Sequence, residues 1–269
     1  MNRKPAADFT PDSSLRVSVA TYNQVVFPHP EHGEPYLALE RKATVSENGG
    51  LHVHAQPFGG AVRILNAKPL TEMLGELRFD SERSKQEQDF RILISPSKWE
   101  QVKQYCLRHL EDPNDRELES APDRELQEEF QETIGVDLQP DQYTAQPMGF
   151  VIENNPAPTR NWRIRGYPTV RIYRTFRIQL LDPQLWQAIL AESRLVSDEE
   201  LGRRALESGA RRANSVLALP LRSAEESFLA LPPEMRYGRI VKDNHVLDES
   251  VLVVLENINS AQYQRIYHQ

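Results

Sequence analysis

Cysteine is almost absent from this chain of 269 residues; Cys106 stands alone. A single cysteine excludes an intramolecular disulfide and an all-cysteine zinc site, and it fits a reduced compartment. Long apolar runs are missing too, since none approaches the roughly 20 residues that span a bilayer. Positive charge is not in excess: 32 Lys and Arg face 39 Asp and Glu, a net charge of −7. That balance argues against general nucleic-acid binding. No Ser or Cys nucleophile motif occurs, and no phosphate-cradling glycine loop beyond Gly59-Gly60. The opening MNRKPAADFTPDSS is polar and lacks an apolar segment, so it predicts a disordered tail over 1–14 in place of a signal peptide. The expectation from these absences is a cytoplasmic chain with no membrane partner.

What is present is ordinary globular material, 39% hydrophobic, in a chain long enough to bury a sizeable core. β-branched residues over 15–26 (LRVSVATYNQVV) predict a strand, and FPHPEHGEP a turn. YLALER (36–41) then predicts a hairpin partner. After a second turn, SENGG, residues 51–64 alternate until they meet Gly59-Gly60. From 65 to 116 the texture changes to short polar helices around one strand, FRILI (90–94), and reads as an inserted subdomain. Trp99, Val102, Tyr105, Cys106 and Leu110 fall on one helix face, which places Cys106 in the core.

Residues 122–134 predict a helix that starts near Ser120 and Pro122 and stops at Gly135. Further on, PTVRIYRTFRIQL (168–180) is the strongest strand pattern. Helical stretches follow at 183 and at 198–208, then a strand at 214–221. Residues 250–258 read equally as a strand or a buried helix. The element order predicts an α+β fold with a mixed sheet.

The 122–134 helix carries RELQEEFQETIG. Residues three and four apart share a helix face, so Glu125, Glu128 and Glu129 point together and Glu132 continues the row. Clustered carboxylates repel one another in water and are stabilised by shared divalent cations, with Mg²⁺ or Mn²⁺ the fitting choice. Arg124 can hold Glu128 one turn on. A solvated acidic face is the plain alternative for such a string. Glu153 is a further candidate, as a general base exposed in a loop.

A strand ending in Pro57-Phe58-Gly59-Gly60, followed by a helix bearing Arg124-Glu125-Leu126-Gln127-Glu128-Glu129, resembles the Nudix hydrolase family. Arg124, Glu125, Leu126, Glu128 and Glu129 match the second half of the family's signature, and Gly59-Gly60 matches its Gly-Gly turn. The departures are definite. The 65–116 block separates turn from helix, and Arg116 stands at the upstream Glu position with Glu117 and Glu119 nearby. Gln131 stands where the terminating Gly belongs. A second register restores that Gly at Gly135 and centres the site on Glu129 and Glu132.

The resemblance implies an α/β/α sandwich with a mixed central sheet, here one domain over 15–269, with an inserted helical subdomain at about 65–116 and an elaboration at about 183–269. It implies Mg²⁺-dependent cleavage of a nucleoside diphosphate linked to another moiety. Glu125, Glu128, Glu129 and the Gly60 carbonyl would hold metal, with Arg124 supporting them. The alternative is a catalytically degenerate module that senses a ligand or a partner protein.

For the rest of a nucleotide-type substrate, Arg160, Arg163 and Arg171 offer bidentate phosphate donors, and Trp162 and Tyr173 offer stacking faces. A hairpin whose arginines balance the acidic helix reads the same residues as well. His52 and His54 alternate as on a half-exposed strand without a third ligand. Exposed β edges make a homodimer an open possibility.

Overall fold

The residues described by this computed structural model are 14–46, 48–112, 114–119, 121–158, 167–229, 240–242 and 245–255. β1 (Leu15–Pro28) is buried along nearly its whole length, as its β-branched composition suits. A turn stabilised by Gly33, at φ +70°, returns the chain into β2 (Pro35–Val45). The Ser46–Gly50 turn then leads to β3 (Leu51–Gln56). The block after it holds α1 (Lys68–Leu74), β4 (Arg78–Phe79), α2 (Glu82–Glu87), β5 (Arg91–Ile94) and α3 (Trp99–His109).

α4 (Asp123–Ile134) follows. Two long strands come next, β6 (Tyr143–Pro158) and β7 (Pro168–Leu180). Asp182 caps α5 (Pro183–Leu195) by accepting from the Gln184 amide, and Ser197 caps α6 (Asp198–Glu207) in the same way through Glu200. β8 (Arg212–Pro220), α7 (Leu221–Leu229), β9 (Ile240–Lys242), β10 (His245–Leu247) and α8 (Val251–Leu255) complete the described chain.

The fold is α+β, built on one mixed open sheet. β1 pairs with β7 in parallel from Arg16 to Val26, and β6 lies antiparallel outside β7. On its other edge β1 meets β5 over Leu15–Ser18 and β2 only over Val25–Pro28. β2 itself runs between β3 and β8. β1 and β2 therefore part beyond their hairpin. Into the gap comes the segment after β3, bridged to β1 at Asn23–Phe58 and Ala20–Ala61.

Successive residues send their side chains to opposite faces of a strand. Val25 and Ala38 face a core of Phe58, from the segment after β3, with Leu126 and Phe130 of α4 and Ile189 of α5. Their neighbours Val26 and Leu37 face Phe228, Val251 and Leu252 from α7 and α8. The stretch 250–258 thus resolves over Val251–Leu255 as a helix, buried at every position because it fills that second face.

The block 65–116 is not a helical subdomain apart. β5 extends the main sheet, and Phe90, Ile92, Val102 and Cys106 share one core with Val17, Val19 and Ile172. Residues 1–13 and the expected N-cap Ser120 lie outside the described residues, and α4 begins after Pro122 with no side-chain cap bond. Ser14 is already buried. Among the described residues no helix is long and apolar enough to cross a membrane.

Candidate functional site

The parting of β1 and β2 leaves a cleft of about 620 Å³ with α4 along one wall. Leu126 and Phe130 anchor that helix in the core, and the Phe130 ring lies 4.9 Å from that of Phe58. This contact sets the helix against the segment that carries Gly59-Gly60. The polar face of α4 is thereby turned to the same turn.

Two carboxylates meet it. The Gly59 amide donates to Glu129 Oε2 at 2.5 Å. A methyl group on Gly60 would stand 2.0 Å from Glu125 Oε2, so only glycine lets that carboxylate approach so closely. Gly59 has φ +134° and no room for a side chain, since an added Cβ would lie 2.1 Å from the Thr21 carbonyl. The Gly60 carbonyl, expected as a metal ligand, accepts from the Thr21 amide at 2.9 Å.

The expected row of three is divided. Glu129 and Glu125 are drawn inward, whereas the Glu128 side chain is 57% exposed. Arg124 contacts Glu128 at 3.1 Å, as its spacing predicts, and also reaches Glu125 at 2.6 Å and Glu119 at 2.7 Å. Glu119 thus enters the site from just upstream of the helix. Glu132 is exposed and accepts from Asn214 at 2.9 Å. Helix α4 continues through Phe130–Ile134 and ends at Gly135, φ +67°.

Charge in this wall is held under tension. Burial pushes the Glu129 carboxyl well above the ordinary carboxylate range, and the neighbouring Glu40 reinforces the rise. Lys42 and the Gly59 amide pull the other way. Burial raises Glu125 as well, against the attraction of Arg124. Asp89, across the cleft, is raised by burial despite Arg91 at 2.9 Å. Burial opposes the charge on Lys42, but Glu40 and Glu129 outweigh it and hold its pKa above the ordinary value.

Arg171 and Tyr173, from β7, line the same cleft. Arg171 is also bonded to Glu153 at 2.7 Å. Glu153 is therefore a mostly buried strand residue of β6, where a base exposed in a loop was expected. Arg160, Trp162 and Arg163 lie outside the described residues.

Several cleft residues escape a reading by motif, Tyr22, Lys42, Arg63, Asp89 and Arg91, as does Glu40, which is buried against Lys42. Tyr22 stacks on Tyr173 with ring centroids 5.3 Å apart and planes 21° from parallel. Glu40 and Lys42 did leave a signal, as the ends of the charged run Glu40-Arg41-Lys42 in an otherwise uncharged strand. His52 is exposed and His54 half-buried on β3, as a half-exposed strand requires.

Among the described residues no three His, Cys, Asp or Glu side chains form a closed ligand set for a metal. The protein's own cations, Lys42 and Arg124, stand between the carboxylates. Compared with models of protein families and with curated proteins, the chain matches none.

Proposed function

We propose that this chain is a Mg²⁺- or Mn²⁺-dependent hydrolase, of Nudix type in fold and signature, acting on a nucleoside diphosphate linked to another group. The observation that carries the reading is the joint contact of Glu125 and Glu129 with Gly59-Gly60. A turn and a helix separated by more than sixty positions of sequence meet on one wall of one cleft, which supports reading them as two halves of that signature.

The donor set fits a hard divalent cation. Glu129 is a buried and Glu125 a half-buried carboxylate, the surrounding protein penalises the charge of both, and oxygen ligands suit Mg²⁺ and Mn²⁺. Glu125 and Glu129 would hold the ion, with Glu128 within reach by rotation from its exposed position. When bound, the cation neutralises charge on phosphate oxygens and makes water a better nucleophile.

The remaining work belongs to the chain. Arg63, Arg91 and Arg171 line the cleft as forked donors for phosphate oxygens. The Tyr22–Tyr173 stack supplies an aromatic surface for a base. Arg124 fixes the orientation of Glu125 by direct contact.

A panel of nucleotide sugars, dinucleoside polyphosphates and other diphosphate-linked nucleosides, incubated with and without Mg²⁺ or Mn²⁺, tests this reading. Cation-dependent release of a nucleoside monophosphate is expected. Absence of any cleavage together with absence of cation binding contradicts it.

One observation favours a second reading, a ligand-binding module without turnover. Lys42 and Arg124 already pair with the carboxylates, and Glu128 is turned outward. Such a module would gain thermal stability from a nucleotide and release no product.

A further inference from the structure

Glu40 and Lys42 lie two apart on β2, on the face that Ala38 shares with the α4 core. The Glu40 side chain is fully buried. Its Oε2 accepts from Lys42 Nζ at 2.5 Å and from Gln56 Nε2 at 3.1 Å. Its Oε1 has no hydrogen-bond partner among the described residues. A buried carboxylate oxygen left without a donor is unfavourable, and a cation is the group that best relieves it.

Lys42 Nζ also lies 3.6 Å from Glu129 Oε1, while Glu129 Oε2 is taken by the Gly59 amide. One ammonium thus serves two buried carboxylates and leaves the group one negative charge in excess. An ammonium is also a compact charge on a flexible stem, able to swing away without leaving the cleft it lines.

We propose that Glu40 and Glu129 form a cation-binding pair, and that Lys42 is the internal cation a divalent ion displaces from it. This rests on the reading of the cleft as a divalent-cation site, and adds to the helix cluster a ligand from the sheet. Displaced, the Lys42 ammonium is free to meet an anionic substrate oxygen on the same wall. Cation loading and substrate binding are then coupled through one side chain.

Isothermal titration of the full-length chain with Mn²⁺ alone, for the unsubstituted protein, Glu40→Gln, Glu129→Gln and Lys42→Met, tests the proposal. Glu40→Gln keeps the shape and is expected to weaken Mn²⁺ binding about tenfold or more. Lys42→Met is expected to tighten it about threefold or more, because the competing charge is gone. Lys42→Met also leaves Glu40 without its cation and can unfold the chain. A second measurement therefore follows the Lys42 side chain in the unsubstituted protein by ¹³Cε-lysine NMR, with Lys42→Arg giving the assignment. The Lys42 signal is expected to shift in step with Mg²⁺ saturation.

Equal Mn²⁺ affinity in Glu40→Gln and the unsubstituted chain overturns the proposal, as does a Lys42 signal unmoved at saturation. If Glu129→Gln alone abolishes binding, the cation site in the cleft stands and only the pairing with Glu40 falls. If the unsubstituted chain binds no Mn²⁺, both fall together.

Discussion

The Gly59 amide donates to Glu129 Oε2 at 2.5 Å, joining a turn after β3 to a helix 70 positions later. Backbone and side chain are both inflexible in this contact. The turn is pinned to β1 through the Phe58 and Gly60 carbonyls, and the helix is pinned through Leu126 and Phe130. Gly59→Ala would put a methyl group 2.1 Å from the Thr21 carbonyl at φ +134°. A loss of about 2–3 kcal/mol is expected from strain and overpacking. Chemical denaturation of the variant beside the parent checks it.

Gly60→Ala should behave differently. Its obstacle is Glu125 Oε2, the far end of a side chain that can rotate. The fold is expected to survive with a loss of about 1 kcal/mol, while the displaced Glu125 weakens Mn²⁺ binding. Unfolding and Mn²⁺ titration on the same sample separate the two effects, and equal damage to both would count against the role of Glu125.

Phe130→Ala removes the ring that seats α4 against Phe58. It leaves a cavity in a fully buried position, expected to cost about 3–5 kcal/mol. The equilibrium unfolding midpoint reads this loss directly.

The raised carboxyl of Glu129 has a consequence for pH. Its ordinary value is 4.5, and its folded value lies well above that. Between the two, the folded chain binds more protons than the unfolded chain, so stability falls as pH rises through that window. Without added metal, Glu129→Gln should therefore stabilise the chain at neutral pH, and the gain should shrink as pH falls towards 4.5. Unfolding curves of both proteins across that range check the sign. A gain independent of pH would contradict it.

The central elements were legible because their chemistry is local. β7 matches the PTVRIYRTFRIQL pattern residue for residue, and α4 ends at Gly135 as its αL conformation requires. β6 was not legible, because Pro147, Gly149 and Pro156 interrupt its alternation. An edge strand tolerates such residues where it bulges, and β6 shifts register near Pro147 and Gly149.

The candidate site divides along the same line. Glu125, Glu129 and Arg124 follow from helical spacing. Lys42 and Tyr22 come from strands distant in sequence, and the parting of β1 from β2 brings them to one cleft, with Glu40 buried against Lys42. The outward turn of Glu128 was not readable either, although its pairing with Arg124 was.

The most direct measurement compares product release from a cleaved member of the diphosphate panel by the unsubstituted chain and by Glu129→Gln, both with saturating Mg²⁺. The account predicts Mg²⁺-dependent hydrolysis that falls about a hundredfold or more in the variant, with its fold intact by circular dichroism. Equal rates in the two proteins, or hydrolysis indifferent to Mg²⁺, would contradict it.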